Sequence, residues 1–398
     1  MSRWPRTIWQ VGALAAIPLN LSLATSAISP LLPTIRREMG ISAAVGGLLT
    51  TIPLFCMGIL APLAPRLARR FGAEHVIAAG LVVLITSMLV RSVPGIAALF
   101  FGTLLLGASA SGYVLVPGVI KRRFGPRTGT VIGLYSTGGL VGSVLGAGAT
   151  VPLMRATGLS WRATLTLWAI IAAVTLAIWL RQMNRTVASD AGLRVPSYPA
   201  LRHLYRDHLA WQVALYYGMQ NLVYNGAAAW LPSLFVAHGV SESSAGLLLA
   251  VVSLTGMAAT FSVPVLAARR STQGPLVLAT VALLATGLIG LLAAPVAGAL
   301  AWMVIFGLGQ GAAFSLGLSL ILLRSSNEQH AIELSSMTQT FGYLFSALGP
   351  VGLGIVHDVT GGWNWPLVVL LLLLLPLLVL GLGASRNRQV LAASRVSS

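Results

Sequence analysis

Residues 40–49 read Gly-Ile-Ser-Ala-Ala-Val-Gly-Gly-Leu-Leu, and residues 239–248 read Gly-Val-Ser-Glu-Ser-Ser-Ala-Gly-Leu-Leu. The shared Gly, Ser and Gly-Leu-Leu positions lie 199 residues apart (40 to 239). At the same spacing Leu32-Pro33 meets Leu231-Pro232, Pro65 meets Pro264, and Leu67-Ala68 meets Leu266-Ala267. Further along the spacing drifts by a few residues, so that Trp161 meets Trp363. Several matches at one spacing mark an internal repeat of about half the chain.

What is repeated follows from composition. Of 398 residues, 56% are hydrophobic and only 8% charged, and the mean hydropathy is +0.86. Soluble domains carry roughly 25% charged residues, so lipid is the expected solvent. Apolar runs of about 20 residues, long enough to span a bilayer, recur twelve times. Those of the first half lie near 9–34, 43–65, 76–92, 95–119, 128–153 and 161–181. Those of the second lie near 210–236, 243–267, 275–294, 297–323, 331–356 and 364–384. Arg3 and Arg6 before the first run, with Ala24-Thr25-Ser26-Ala27 inside it, mimic a signal peptide. Even spacing of the following runs favours an uncleaved first span. The expected fold is an all-α membrane protein of twelve transmembrane helices in two six-helix halves. These are residues 1–181, a cytoplasmic linker 182–208, and residues 209–398 with a short cytoplasmic tail. An even span count per half makes the repeats parallel.

The net charge of +17 would suggest nucleic acid in a soluble protein, but here the arginines fill short gaps between apolar runs. With both termini on one side, that side holds all Lys and Arg except Arg36, Arg37, Arg91, Arg155 and Arg162. The positive-inside rule then puts both termini in the cytoplasm. The expected partners are the lipid bilayer and a small-molecule solute, with no nucleic acid. The single cysteine, Cys56, and six scattered histidines offer no metal-site spacing, so neither metal nor other cofactor is expected.

Polar side chains inside hydrocarbon turn toward other helices or a wet cavity. Spans three, six, nine and twelve are almost purely apolar and should face lipid. Span seven carries Tyr217, Gln220, Asn221, Tyr224 and Asn225 at i, i+3, i+4, i+7 and i+8, one helical face. Span one carries Ser22, Thr25, Ser26 and Ser29, with Asn20 at similar depth. Spans four, ten and eleven add Tyr113, Gln310, Gln339 and Tyr343. A cavity lining is the expectation for span seven; helix–helix hydrogen bonding is the alternative, above all for Ser22, Thr25, Ser26 and Ser109. Gly138, Gly142 and Gly146 let backbones approach closely, either as a static seam or as one that slides during gating. The eight acids all fall in loops or at span ends, which disfavours proton coupling by a midplane carboxylate. Glu333 and Asp358 are the acids placed nearest to the two mouths. A binding site of neutral hydrogen-bonding and aromatic groups is therefore expected. A broad-range drug exporter is the runner-up; an intramembrane enzyme would need a metal cluster or activated nucleophile, and neither is visible. A sensor is the remaining alternative.

Several local sequences carry a family resemblance. They are Pro62 through Gly72 (Pro-Leu-Ala-Pro-Arg-Leu-Ala-Arg-Arg-Phe-Gly), Pro117 with Ile120-Lys121-Arg122, Gly133-Leu134-Tyr135 and Trp161-Arg162. The second half adds Ala229-Trp230-Leu231-Pro232, Gly342-Tyr343, Leu348-Gly349-Pro350, His357-Asp358 and Gly361-Gly362-Trp363. Over nearly its whole length the chain resembles the cyanate porter family of the major facilitator superfamily, whose members include cyanate and nitroimidazole transporters. The resemblance implies a monomeric bacterial inner-membrane transporter without cofactor, working by alternating access about a midplane site. Spans one, four, seven and ten would build that site, with five, eight and eleven at the seam. Two departures matter. Arg69 stands where the superfamily usually has an Asp, and Glu74-His75 where basic residues are usual, so Arg69 and Arg70 are expected to anchor to lipid as much as to latch the halves. Ser22-Leu23 replaces the Arg-Pro frequent in relatives, which removes a cation suited to a small anion. Lys121 is placed too near the cytoplasmic end to substitute for it.

Overall fold

Without water to satisfy it, a spanning backbone must close its own hydrogen bonds, and helices do so. The computed structural model describes residues 4–60, 63–124, 128–183, 204–326 and 328–390, with sixteen α-helices and no strand among them. They are α1 (Trp4–Ser26), α2 (Leu32–Met39), α3 (Ala43–Leu60), α4 (Ala64–Phe71), α5 (Ala73–Ser92), α6 (Ile96–Ser109), α7 (Val116–Phe124), α8 (Thr128–Thr157) and α9 (Trp161–Met183). After the linker, most of which lies outside the described residues, come α10 (His208–Ala237), α11 (Glu242–Ala268), α12 (Gly274–Ala293), α13 (Ala299–Leu323), α14 (Glu328–Ser346), α15 (Leu348–Thr360) and α16 (Asn364–Ala384).

Three of the twelve expected spans are interrupted. Span one is α1, a 3₁₀ turn at Ser29–Leu31 and α2, with Pro30 and Pro33 removing amide donors at the break. Span four is α6, a 3₁₀ stretch at Ala110–Leu115 and α7. Span eleven is α14 and α15, separated at Ala347, and Pro350 cannot donate back to Ser346. Ten segments are long and apolar enough to cross a bilayer by length and composition. Span four falls short because its apolar helix α6 has only 14 residues. Span seven, α10, has 30 residues, but the polar stripe along it dilutes its hydropathy. Among the described residues, exposed large apolar side chains occur on the other spans and on neither span one nor α10. Val82, Ile170, Ile289 and Leu375 are examples from spans three, six, nine and twelve.

Packing divides the chain into two compact units. Unit one is Met1–Ile41, Leu48–Arg194 and Ser241–Ala250; unit two is Ser42–Gly47, Val195–Val240 and Val251–Ser398. Each unit thus takes one short segment from the other half of the sequence, at positions the repeat makes equivalent. Both segments follow a glycine with positive φ, Gly40 at 63° and Gly239 at 84°. That left-handed turn explains why the repeat holds Gly at both sites.

In unit one, α1 lies against α8 through three glycines. A Cβ built on Gly138, Gly142 or Gly146 would stand 2.0, 2.1 or 2.6 Å from the carbonyl oxygens of Ala15, Leu19 or Leu23. Leu14, Ile17, Leu81, Leu84, Leu106 and Trp179 are among the residues that fill the core. Charges tie the helix ends. At one end Arg123 of α7 pairs with Glu74 of α5, beneath Trp179, whose indole N–H donates to Glu74 O at 3.1 Å. Glu74, the residue that breaks the superfamily's charge pattern, therefore spends its charge inside unit one. At the other end Glu38 of α2 accepts from Trp161 Nε1 and from the Arg162 guanidinium of α9.

In unit two the carboxyl end of α16 is closed by a buried arginine. Arg324, 2% exposed, donates from Nε to Ala384 O at 2.8 Å, from Nη2 to Ser385 O at 2.9 Å, and to the Gln273 side chain. It satisfies carbonyls that a helix end leaves open and places a cation at the negative end of the macrodipole. Hydrogen bonds to a charged group are worth about 1.5–3 kcal/mol. Arg324→Ala is expected to lower the melting temperature of detergent-purified protein by at least about 3 °C; an unchanged melting curve would show that this cap is dispensable.

Candidate solute site

The span-seven stripe is buried in unit two. Tyr217 is 3% exposed, and its ring fits between two glycines: a Cβ on Gly342 would stand 2.7 Å from its Cδ1, and one on Gly317 3.0 Å from its Cδ2. Its ring centroid lies 6.1 Å from that of Phe314, and Tyr343, half-buried, follows Gly342 on α14. Asn221 Nδ2 donates to Tyr217 O at 2.8 Å, while Asn225 Nδ2 donates to Asn221 O and to Ser346 Oγ, both at 2.9 Å. The two asparagines therefore use their N–H groups on the protein, and their Oδ1 atoms remain the acceptors they present.

The glutamines differ. Gln220 is 1% exposed and its Nε2 has no partner; Gln310 is 4% exposed and neither Nε2 nor Oε1 has one. Gln310, Phe314 and Gly317 share one face of α13 at i, i+4 and i+7. Phe314 and Gly317 touch Tyr217, so the same face turns Gln310 toward α10. Consecutive odd- and even-numbered spans run in opposite senses, so one turn back on α13 from Phe314 matches one turn forward on α10 from Tyr217. Gln310 thus shares its level with Gln220 and Asn221. Buried amides without partners are rare, because each costs a few kcal/mol unless something bonds it.

Not every expected residue joins this cluster. Gln339 is exposed and donates from Nε2 to Ser335 Oγ at 2.9 Å, and Tyr224 is half-buried. Unit one holds a smaller polar group. Asn20, fully buried, donates to Thr175 Oγ1 of α9 at 2.9 Å and to Ala16 O at 2.7 Å, leaving Oδ1 without a partner. Thr25 bonds back to carbonyls of its own helix. Ser26 Oγ lies 2.9 Å from Ser143 Oγ of α8. Ser22 is half-buried; a Cβ on Gly139 would stand 3.5 Å from its Oγ. Tyr113 sits in the 3₁₀ stretch of span four, buried, its hydroxyl without a partner. Gly138, Gly142 and Gly146 face span one within unit one. Arg70 is exposed, its guanidinium 5.3 Å above the Phe71 ring. The side chains of Arg69 and Lys121 lie outside the described residues.

Sequence reasoning did not single out Thr175, Phe314 or Gly317. Phe314 and Gly317 were available as an i+4, i+7 extension of Gln310. Nor did it bury Arg91, which is 2% exposed and reaches the carbonyl of Ala24 with Nη1 at 3.4 Å. That carbonyl belongs to the last turn of α1, where the break in span one leaves acceptors open. Among the described residues, no group of three or more His, Cys, Asp or Glu is placed to hold a metal ion.

Comparison with known proteins puts this arrangement in context. The sequence model of the Major Facilitator Superfamily matches residues 15–350. The chain is 35% identical over 381 residues to the 2-nitroimidazole transporter of Escherichia coli (strain K12), covering 96% of each chain. It is 32% identical over 352 residues to the cyanate transport protein CynX of the same organism, covering 88% of this chain and 90% of that one. Among solved structures, a bacterial homologue of the human lysosomal transporter Spinster superposes with a TM-score of 0.78 at 17% identity, over 97% of this chain and 98% of that one. The D-xylose–proton symporter gives 0.71 at 16% identity, over 96% and 99%. These structural likenesses concern the fold.

Proposed function

The chain belongs to the Major Facilitator Superfamily, and from that premise we propose that it carries a small, planar, uncharged polar solute of the nitroimidazole kind across a bacterial inner membrane. The observation that carries the reading is the pair of buried amides, Gln220 and Gln310, with polar atoms left open on the helices that carry the Tyr217–Phe314 ring contact. Gln310 offers one donor and one acceptor group, Gln220 adds a donor, and the asparagine Oδ1 atoms add acceptors. Phe314 and Tyr217 supply the aromatic surface. In unit one, Asn20, Ser22, Thr25, Ser26 and Tyr113 would contribute the remaining contacts during alternating access. The two halves of the cycle correspond to residues 1–181 and 209–398, joined by a cytoplasmic linker at 182–208, and the transporter works as a monomer with both termini in the cytoplasm.

The chemistry favours a neutral solute over an anion. Arg324 is turned to the carboxyl end of α16, Arg91 reaches the carbonyl of Ala24 with Nη1 while its Nε and Nη2 stay open, and Ser22 supplies no charge. A solute bound only by the folded state raises its melting temperature with concentration. Purified protein is expected to gain stability with 2-nitroimidazole and other neutral azoles, and to show none with cyanate, nitrite, nitrate or formate. Stabilisation by an anion and not by azoles would refute the neutral-site reading.

A further inference from the structure

The motif residues His357, Gly361, Gly362 and Trp363 take no part in the cluster above, yet they line one open cavity of about 480 Å³. It lies in unit two where α10 ends, α15 ends and α16 begins, the face that is outer in the proposed orientation. Its volume falls within the roughly 300–1,000 Å³ usual for small-molecule sites. One wall is an aromatic stack. The His357 and Trp363 rings lie 4.1 Å apart at 36°, and Trp363 lies 5.2 Å from Trp230 at 37°. Trp230 is itself held by its indole N–H, which donates to Pro350 O at 2.7 Å. Trp365, 59% exposed, and Asn364 complete the rim.

His238 gives the cavity a directed polar group. Its Nδ1 lies 2.8 Å from Leu234 O. A carbonyl can only accept, so Nδ1 carries the hydrogen, and the tautomer this bond selects has Nε2 as its acceptor. The neighbouring carboxylate of Asp358 accepts from Ala43 N at 2.9 Å and Ala44 N at 2.7 Å at the start of α3, and its Oδ1 lies 3.5 Å from His357 Nδ1. Indole faces, an imidazole acceptor and an amide suit a flat, neutral ring that carries an N–H.

We propose that this cavity is a second, outer binding site for planar heteroaromatic N–H solutes, which stack on the exposed indole of Trp365 and donate to His238 Nε2. The identity of the ligand rests on the reading under Proposed function; the site itself rests on the cavity and its side chains. Gly362 provides a clean test, because a Cβ there meets nothing within 4 Å and its φ is not positive, in contrast to Gly361 at 72°. A leucine at 362 should fill the cavity without disturbing the fold, and His238→Ala removes the acceptor together with the Nδ1–H bond to Leu234 O.

Equilibrium binding of 2-nitroimidazole to the full-length purified protein is expected to show two equivalents. Gly362→Leu and His238→Ala should each weaken one by roughly tenfold or more while Gln310→Ala weakens the other, with the melting temperature of Gly362→Leu unchanged. 1-Methyl-2-nitroimidazole, which lacks the N–H, should lose the outer equivalent. One equivalent that is lost with Gln310→Ala and unaffected by Gly362→Leu would overturn the outer site alone. One equivalent lost with Gly362→Leu and unaffected by Gln310→Ala would support the outer site and overturn the buried-amide reading. No azole binding at all would overturn both.

Discussion

Gln310→Ala is expected to cut uptake of the transported solute roughly tenfold or more at subsaturating concentration, and to leave the protein as stable as before or more so. The two effects have one cause. Gln310 is 4% exposed, and both of its amide heavy atoms lack a partner within the protein. An unmade buried hydrogen bond costs about 1–3 kcal/mol, and alanine removes that cost from the solute-free state. With solute bound, the same amide would regain its bonds, and a loss of about 1.4 kcal/mol or more corresponds to tenfold in affinity. Asn225 is the contrasting case, since its amide already donates to Ser346 Oγ and to Asn221 O. Asn225→Ala should therefore lower the melting temperature as well as uptake. Radiolabelled uptake and thermal melts on the two variants settle the matter. A Gln310→Ala protein that melts lower and still transports would show that this amide serves packing and not the solute.

The contrast marks what could be read from the sequence. Helical spacing placed Tyr217, Gln220, Asn221, Tyr224 and Asn225 on one face of span seven, because periodicity depends only on the 100° step of a helix. It could not say which member of the stripe would be satisfied by a neighbour. Asn225 meets Ser346 and Gln310 meets no partner, and that difference comes from the packing of α14 and α13, which no local pattern encodes. Asn20 shows the same limit. Its depth was legible, but its partner Thr175 lies 155 positions away on a span that reads as purely apolar. The twelve-span count and the parallel repeat were legible because they rest on hydropathy and long-range identity. The interruptions of spans one and eleven carry a local cue in Pro30, Pro33 and Pro350. Arg91 falls at the end of span three, and its charge reads as one of the five on the outer side. Its burial follows from the open carbonyls where α1 stops, a tertiary need invisible in the residues around it.

Gly142→Val and Gly138→Val are expected to abolish the folded protein, while Gly133→Val on the same helix is tolerated. In lipid there is little hydrophobic gain in pressing one span on another, so close van der Waals contact between backbones has to supply the association. The α1–α8 seam achieves that contact only because α8 lacks side chains there. The smallest addition, a Cβ, would stand 2.0 Å from Ala15 O at position 138 and 2.1 Å from Leu19 O at position 142. These neighbours are backbone atoms and cannot swing aside, so the helices must separate, and the penalty should exceed the 1–3 kcal/mol usual for overpacking. At Gly133 nothing lies within 4 Å of the same atom. Fluorescence-detected size-exclusion profiles of the three variants separate two roles for this glycine row. Loss of a monodisperse peak for 138 and 142 alone would establish a static seam inside unit one. Well-folded variants that have lost only transport would mean that α1 and α8 part during the cycle, and that these glycines serve motion and not assembly.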